Sequence, residues 1–165
     1  MRPIFLCGFM GCGKTTVGKR LAKLLKCDFT DMDDYIEKLE GRSIPEIFSQ
    51  NGEEYFRNTE TKVIKSFVGK TGVIATGGGA LLSEENAKAA KEIGTVVFID
   101  VRFSTCYMRI KDDKNRPIAF NSTKEELLNR YNDRKPKYIK NSSFTVDGNH
   151  GALTVANAVL SRLNY

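Results

Sequence analysis

Short apolar or β-branched runs alternate with amphipathic stretches along the whole chain. The runs predict strands at residues 3–7, 28–30, 72–76, 95–101 and 144–146. Between them, apolar residues recur every three or four positions, which predicts helices along the stripes Val17, Leu21, Leu24, Leu25 and Ala152, Val155, Ala156, Val159, Leu163. Strands that alternate with helices favour an α/β fold, in which a parallel sheet is covered by helices on both faces.

Residues 34–67 depart from this alternation because they carry helical patterns with no strand between them. Ser43 and Glu46 have the spacing of a capping box, and Pro45 falls in the first turn of the helix that they begin. The pair Asn51-Gly52 is typical of a break between helices. This segment therefore predicts consecutive helices.

Residues 111–123, KDDKNRPIAFNST, form a polar stretch that contains a proline and has no clear periodicity. Polar loops of this length inside a compact domain are often mobile lids. Ser122 and Glu125 again have capping-box spacing. We therefore expect a lid at about 111–123, followed by a helix.

The chain of 165 residues is long enough for one domain with a buried core, and its 41% apolar and 28% charged residues are ordinary for a globular protein. It has no apolar run of about 20 residues. Its N-terminus also lacks the apolar region and the cleavage site of a secretory signal. These features predict a cytoplasmic protein that does not bind membranes.

The net charge of +6 comes from lysines and arginines that are interspersed with acids, as in EKLEGR. Nucleic-acid binders tend to gather such residues into a stripe with aromatics, so no nucleic-acid partner is expected, and a small anionic ligand fits the charge equally well. The cysteines form no C-x-x-C pair and His150 is the single histidine, so no zinc site is expected. The thiols are expected to be reduced and packed as small apolar groups: Cys7, Cys12, Cys27 and Cys106.

The sequence GFMGCGKT at residues 8–15 matches the pattern G-x-x-x-x-G-K-[ST] of the P-loop, between the first predicted strand and the first helix. In such loops, backbone N–H groups and the helix N-terminus attract phosphate oxygens. Lys14 is expected to reach the β- and γ-phosphates, and Thr15 is expected to bind Mg²⁺. The predicted nucleotide-binding positions are Gly11, Cys12, Gly13, Lys14, Thr15 and Thr16.

A magnesium site in a P-loop protein also needs a carboxylate, and two positions compete for this role. Asp100 ends the apolar run VVFID, although we favour its interpretation as a helix-capping or turn residue. Asp31 and Asp33 follow the short second strand, where an extended backbone would put both carboxylates on one side. One could serve the metal through water and the other a substrate hydroxyl. Asp34 is expected to be an exposed acid in the first turn of a helix.

The run VIATGGGALL at residues 73–82 ends a predicted strand in three consecutive glycines. Each glycine loses extra conformational entropy on folding, so three in a row call for a reason. Ligands of open α/β folds bind at the carboxyl edge of the sheet, where this strand ends. We therefore expect Gly77, Gly78 and Gly79 to be the floor of a pocket that has no room for side chains.

The motifs GFMGCGKTT, DMD, EEYFRNTE, ATGGGA, NRP and DRKPKY, in this order and at these separations, resemble those of shikimate kinase over essentially the whole chain. The P-loop alone is widely shared, whereas the combination with D-x-D, F-R-x-x-E, triple glycine and R-x-P-x-Y is far more specific. The resemblance implies a P-loop NTPase fold like that of nucleoside monophosphate kinases, with three α/β/α layers and a five-stranded parallel sheet. It also implies Mg²⁺-dependent transfer of the γ-phosphate of ATP to the 3-hydroxyl of shikimate, a step of aromatic amino-acid biosynthesis.

The resemblance further implies roles at the acceptor end of the site. Asp31 would associate with Mg²⁺, and Asp33 would bind shikimate hydroxyls as a base or an orienting group. Arg57 and Arg134 would grip the carboxylate, which suits the planar fork of arginine. The three glycines would lie against the ring. Glu60 stands three residues after Arg57 and can hold its guanidinium, although such a spacing is also that of an ordinary surface ion pair.

At the nucleotide end, the resemblance implies that Arg116 reaches the phosphates from the lid and that Arg109 packs on adenine. Lys14, Asp33 and Arg116 would then be the catalytic residues, and closure of the lid would exclude water. The family also implies one domain of residues 1–165 with a substrate-binding region at about 33–61. We expect the protein to be a monomer whose partners are shikimate and ATP.

The sequence departs from the family in the lid, which reads RPIAF instead of RPLL, and near the second arginine, where Lys137 and Lys140 replace apolar and acidic types. These departures concern lid packing. Alternative functions are another small P-loop kinase, for gluconate or a nucleoside monophosphate, and a nucleotide-binding module without catalysis. The first would lack the paired arginines with the triple glycine, and the intact Lys14, Asp33 and Arg116 argue against the second.

Overall fold

The structure is a computed structural model that describes residues 1–114 and 116–163. Within these residues, five strands form one parallel sheet in the order β2-β3-β1-β4-β5. This confirms the predicted α/β class and the five-stranded parallel sheet. The strands are β1 Ile4–Cys7, β2 Phe29–Asp31, β3 Val73–Ala75, β4 Thr95–Asp100 and β5 Phe144–Asp147.

Helices and one 3-10 helix connect the strands. The helices are α1 Lys14–Leu25, α2 Met32–Glu40, α3 Ile44–Lys65, α4 Glu84–Ile93, α5 Phe103–Ile110, α6 Pro117–Phe120, α7 Lys124–Asn141 and α8 Ala152–Leu160, and the 3-10 helix is Ala80–Leu82. Helix α1 packs against α8, whereas α4 packs against α3 and α7. The central strand β1 is buried along its whole length, because helices cover the sheet on both faces.

The helical stripes bury most of the predicted residues. Val17 and Leu21 of α1 are buried, but Leu24 is 40% exposed, so its predicted place on the stripe is wrong. Leu24 lies one residue off the i, i+4 series that runs from Val17 through Leu21 to the partly buried Leu25. The four cysteines are free thiols, and three of them are buried, as predicted: Cys7, Cys12 and Cys106.

The helical segment between β2 and β3 begins and breaks where the sequence predicts. Ser43 Oγ accepts from the Glu46 N–H at 3.3 Å, and the Glu46 carboxylate accepts from the Ser43 N–H at 3.2 Å. Gly52 interrupts α3 with φ of 83° and ψ of 173°. The break predicted at Asn51-Gly52 is therefore confirmed as a kink within α3.

The predicted lid contains the short helix α6, and its residue 115 lies outside the described residues. The capping box that begins α7 is made by Thr123 and Glu126, so the prediction of Ser122 and Glu125 is wrong by one residue. The Glu126 N–H donates to Thr123 Oγ1 at 3.2 Å, and the Thr123 N–H donates to the Glu126 carboxylate at 3.1 Å.

The parallel strands end at one edge of the sheet, and the motifs follow those ends. The P-loop leaves β1, Asp31 ends β2, the three glycines follow β3 and Asp100 ends β4. Parallel topology thus brings residues from distant parts of the chain to one edge, which is where open α/β folds bind ligands. In the described part of the chain, no helix is both long and apolar enough to cross a membrane.

Candidate active site

The P-loop wraps the N-terminus of α1. Gly13 caps this helix with φ of 91°, a left-handed conformation that residues with a side chain rarely adopt. A side chain at Gly8 would meet Cys12 Sγ at 2.7 Å and the Ile99 carbonyl at 2.9 Å. The first turn of α1 carries no acid, so no side chain of that turn neutralises the partial positive charge of its N–H groups. This loop is built to hold an anion.

Lys14 adds a full positive charge to the loop. Its ammonium donates to the Gly8 carbonyl at 2.7 Å and to the Phe9 carbonyl at 3.3 Å. The Lys14 side chain thus folds back onto the P-loop, next to the place where the loop would hold a phosphate.

Thr15 and Asp31 lie together, as the metal prediction requires. The Thr15 hydroxyl donates to Asp31 Oδ2 at 3.1 Å. Asp31 Oδ1 accepts from the backbone N–H groups of Asp33 and Asp34 at 3.1 and 3.4 Å, so this carboxylate is also the N-cap of α2. A hydroxyl beside a carboxylate is a donor set that suits Mg²⁺, which prefers hard oxygen ligands.

The D-x-D segment is not extended, so that part of the prediction is wrong. The chain turns helical at Met32, and Asp33 lies in the first turn of α2. The reason is the cap itself, because the Asp31 carboxylate satisfies N–H groups that would otherwise lack a partner. Asp34 is exposed in the same turn, as predicted.

Asp100 contacts residues of other elements. Its Oδ2 lies 3.3 Å from the Lys135 ammonium of α7, and its carbonyl accepts from the Gly148 N–H at 2.8 Å. Asp100 therefore links β4 to α7 at the strand end. It does not cap the next helix, because Arg102 is the N-cap of α5.

The three glycines lie against the side chains of other elements. A methyl group at Gly77 would be 2.7 Å from Asp33 Oδ1, and one at Gly79 would be 2.5 Å from Arg57 Nη1. At Gly78 it would be 3.3 Å from Arg134 Nη1. Each glycine thus makes room for a different polar side chain. The space is filled by the protein's own charged groups, which lets α2, α3 and α7 converge on one loop.

Asp33 is partly buried beside Gly77, and burial raises the pKa of its carboxyl to about 6. The negative charge of Asp31 raises this pKa further, while Lys14 opposes the shift. Asp33 therefore titrates much closer to neutral pH than an ordinary aspartate, which is typical of carboxylates in functional sites.

Arg57 is held by two carboxylates of its own helix. Its Nη1 lies 2.6 Å from Glu60 Oε1, and its Nε lies 3.4 Å from Glu53 Oε1. The guanidinium also lies 5.4 Å from the ring centre of Phe56, which is buried and packs against Phe48. The spacing-based prediction that Glu60 holds Arg57 is confirmed.

Glu60 is more deeply buried than its spacing suggests, with a side chain that is 1% exposed. Burial raises the pKa of its carboxyl to about 7, against the opposing charge of Arg57. Among the described residues, its Oε2 is the buried side-chain oxygen that has no hydrogen-bond partner. This oxygen faces the same side of Gly77 as Asp33, because a methyl group there would lie 3.4 Å from it.

Helix α7 is hydrogen-bonded to residues 78 and 81, in and just after the loop of three glycines at 77–79 (the glycine loop). The two residues of α7 that make these bonds were not predicted from the sequence. The Tyr138 hydroxyl donates to the Gly78 carbonyl at 2.6 Å, and Asn141 Nδ2 donates to the Leu81 carbonyl at 2.8 Å. Tyr138 is the tyrosine of R-x-P-x-Y, four residues after Arg134, so the motif itself was the signal for its role. Asn141 carried no such signal.

A cavity of about 510 Å³ runs along the P-loop to the first glycines. Arg109 lines it and donates from Nη1 to the Gly11 carbonyl at 2.9 Å. Arg116 lines it from the lid, with its Nε 3.2 Å from Asp113 Oδ2. His150 also lines the cavity and contacts Asp147 at 3.1 Å. Residues of the P-loop thus line the same cavity as Asp33 and Gly78.

The comparisons with known proteins all point to one family. The family model for shikimate kinase matches residues 10–164. A shikimate kinase from Persephonella marina is 39% identical over 164 residues, which cover 99% of both chains.

Solved structures give the same result. A shikimate kinase from Acinetobacter baumannii, solved in complex with shikimate, has a TM-score of 0.89 and 36% identity, covering 99% of this chain and 96% of that one. A gluconokinase from Sinorhizobium meliloti, at 14% identity and a TM-score of 0.60 over 97% of this chain and 90% of its own, shares the fold alone.

Proposed function

The chain belongs to the shikimate kinase family, and from this premise we propose how its residues carry out the reaction. The protein phosphorylates shikimate with ATP as the donor, in the route to the aromatic amino acids. We infer the roles of the individual residues, the magnesium ion and the lid from their geometry.

One observation carries the proposed acceptor site: Arg57 and Arg134 converge on adjacent glycines. Their guanidinium nitrogens would lie 2.5 and 3.3 Å from methyl groups at Gly79 and Gly78. Two guanidinium groups over a bare backbone form a clamp for a planar carboxylate, since arginine can donate two parallel hydrogen bonds to it. We assign the carboxylate of shikimate to this clamp.

The hydroxyl groups of the acceptor then point to the carboxylates beside Gly77. Asp33 would accept a hydrogen bond from the 3-hydroxyl, and the unpartnered Glu60 Oε2 is available to another hydroxyl or to water. A buried carboxylate oxygen without a partner costs free energy, which a polar ligand would recover on binding. The three glycines are the floor of this site.

The nucleotide occupies the P-loop end. Backbone N–H groups of Gly11, Cys12, Gly13 and the first turn of α1 around Thr15 and Thr16 would bind the phosphates, with Lys14 at the β- and γ-phosphates. Arg109 would lie against the adenine. Phosphoryl transfer depends on positioning and charge neutralisation more than on covalent chemistry by the protein. The positively charged groups at the phosphates would therefore account for much of the catalysis.

Thr15 and Asp31 would hold Mg²⁺, since their oxygens lie within 3.1 Å of each other and match its preference. When bound, the ion supplies charge neutralisation for the phosphates. The protein's part is to fix these two oxygens: the helix cap holds Asp31, and the first turn of α1 holds Thr15.

Asp33 would hold the 3-hydroxyl in line with the γ-phosphate and accept its proton as the transfer proceeds. With a pKa of about 6, its carboxyl is mostly ionised at neutral pH and is still a better base than an ordinary aspartate. Lys14, Asp33 and Arg116 are therefore the proposed catalytic residues.

The segment 111–123 would act as the lid. Ile118 and Phe120 are exposed there, and Arg116 is paired with Asp113. Closure would turn Arg116 from Asp113 toward the phosphates and exclude water that would otherwise hydrolyse ATP. The region at about 33–61 would bind shikimate within a single domain. We further propose a cytoplasmic monomer with small-molecule partners only.

The acceptor is tested by a coupled assay with ATP and a panel of shikimate, gluconate and nucleoside monophosphates. We expect shikimate to have the highest kcat/KM by at least about a hundredfold, and we expect EDTA to abolish turnover. Good turnover of another acceptor without turnover of shikimate would overturn the assignment.

A further inference from the structure

Within α7, all of whose residues are described, two buried tyrosines lie seven residues apart on one face. The Tyr131 hydroxyl donates to the Val101 carbonyl at 2.7 Å, and the Tyr138 hydroxyl donates to the Gly78 carbonyl at 2.6 Å. The two side chains make the same kind of bond with different loops. Only the loop that Tyr138 contacts carries the glycines of the acceptor site.

Tyr138 reaches Gly78 from a rigid position. Its ring is buried and stacks on Phe98 of β4, with ring centres 5.3 Å apart and planes 26° apart. Burial raises the pKa of its hydroxyl, so the group stays protonated and donates at any pH at which the protein would be assayed. The hydroxyl therefore fixes the Gly78 carbonyl in one direction.

That same carbonyl belongs to the peptide that ends in the Gly79 N–H. The peptide is planar and trans, so a fixed carbonyl also fixes the direction of the N–H. Arg134 lies four residues before Tyr138 on α7, and its Nη1 would be 3.3 Å from a methyl group at Gly78. The positive charge of Arg134 lowers the pKa of the Tyr138 hydroxyl, against the larger effect of burial. Tyr138 and Arg134, four residues apart on α7, thus both lie next to Gly78.

We propose that Tyr138 is a positioning residue for the acceptor carboxylate. Its hydroxyl holds the Gly78–Gly79 peptide in a fixed position relative to the Arg134 guanidinium. This proposal rests on the carboxylate clamp proposed above. Tyr138 does not touch the reacting atoms. Its effect should therefore fall on the binding of shikimate and should spare both the binding of ATP and the chemical step.

The test compares Tyr138→Phe with the matched control Tyr131→Phe, each of which removes a hydroxyl and keeps the buried ring. Tyr138→Phe is expected to raise the KM for shikimate about fivefold to twentyfold, with kcat and the KM for ATP changed less than about twofold. Tyr131→Phe is expected to leave all three within about twofold. An unchanged shikimate KM in Tyr138→Phe, or an equal rise in both variants, would overturn the proposal.

A structural role alone would not produce coupling to Arg134, which a double-mutant cycle measures. Tyr138→Phe should raise the shikimate KM by a smaller factor in an Arg134→Lys background than in the wild type. Fully independent effects would overturn the proposal. If Arg134→Lys by itself leaves the shikimate KM unchanged, the clamp is wrong; if it raises the KM while Tyr138→Phe does not, only the role of Tyr138 fails.

A measurement on the wild-type protein removes any dependence on how well the variants fold. With tyrosine labelled with ¹³C at Cζ, saturating shikimate is expected to shift the resonance of Tyr138 and to leave that of Tyr131 in place. A Tyr138 resonance that does not move on saturation would overturn the proposal.

Discussion

Arg57 Nη1 lies 2.6 Å from Glu60 Oε1, and the carboxylate that holds it is almost completely buried. The Arg57 side chain is 38% exposed, so the ion pair joins a buried carboxylate to an arginine that a ligand can still reach. Glu53 contacts the same guanidinium at 3.4 Å but is 68% exposed. The buried partner therefore sets the direction in which Arg57 faces Gly79.

The two carboxylates give a matched pair of variants. Glu60→Gln removes the charge that aims Arg57, so we expect the KM for shikimate to rise about tenfold, equivalent to about 1.4 kcal/mol of lost binding, with the KM for ATP unchanged. Glu53→Gln removes an exposed partner and should change the shikimate KM less than about twofold. Steady-state kinetics decide this, and equal effects of the two variants would contradict the account.

The stability of the protein should fall with rising pH because of Glu60. Its pKa rises from an ordinary 4.5 to about 7 in the folded protein, so the folded state binds the proton more tightly than the unfolded state. The tighter proton binding by Glu60 contributes on the order of 3 kcal/mol to the free energy of unfolding. This contribution is complete below about pH 4.5 and is lost as the pH rises through 7. Urea unfolding from pH 5 to 8 should show a shallower decline in Glu60→Gln than in the wild type. Parallel profiles would show that Glu60 is not the source.

Asp33 should control the acid limb of the activity profile. Its carboxyl has a pKa of about 6, so kcat/KM for shikimate should fall below that pH as the carboxylate becomes protonated. Asp33→Asn should lower kcat by about two to three orders of magnitude and abolish this limb. The affinity for ATP, measured by calorimetry, should stay within about twofold. A variant that keeps the wild-type kcat would rule out the proposed role.

Alanine at each of the three glycines should have a different effect, because each faces a different side chain. Gly77→Ala crowds Asp33 Oδ1 at 2.7 Å and should mainly lower kcat. Gly79→Ala crowds Arg57 Nη1 at 2.5 Å and should mainly raise the shikimate KM, by about tenfold or more. Gly78→Ala, at 3.3 Å from Arg134, should weaken shikimate binding less. The affinity for ATP should be spared in all three, and the same kinetic change in all three would contradict this division.

The local patterns in the sequence predicted the features that depend on neighbouring residues. The P-loop, the positions of the strands along the chain and the capping box at Ser43 rest on residues within a few positions of one another, and the structure bears them out. The sequence analysis named both Thr15 and Asp31 as metal ligands, and the structure shows their side-chain oxygens 3.1 Å apart.

Features set by long-range packing could not be predicted. The bond between Tyr138 and Gly78 joins residues 60 positions apart, and nothing in the local sequence marks the depth at which Glu60 is buried. The helical turn at Asp33 was not predicted because the D-x-D spacing also suits an extended strand. The structure differs because the Asp31 side chain caps α2, which places Asp33 in its first turn. The motifs predicted the candidate residues, and the packing of α2, α3 and α7 next to the three glycines showed which of these residues lie together.

The central claim, that the glycine loop and its two arginines hold the acceptor, is tested most directly by a crystal structure with shikimate and ADP. The account predicts the shikimate carboxylate between Arg57 and Arg134 above Gly78 and Gly79, with the 3-hydroxyl within hydrogen-bond distance of Asp33. A carboxylate bound elsewhere, or a 3-hydroxyl that faces away from Asp33, would contradict it.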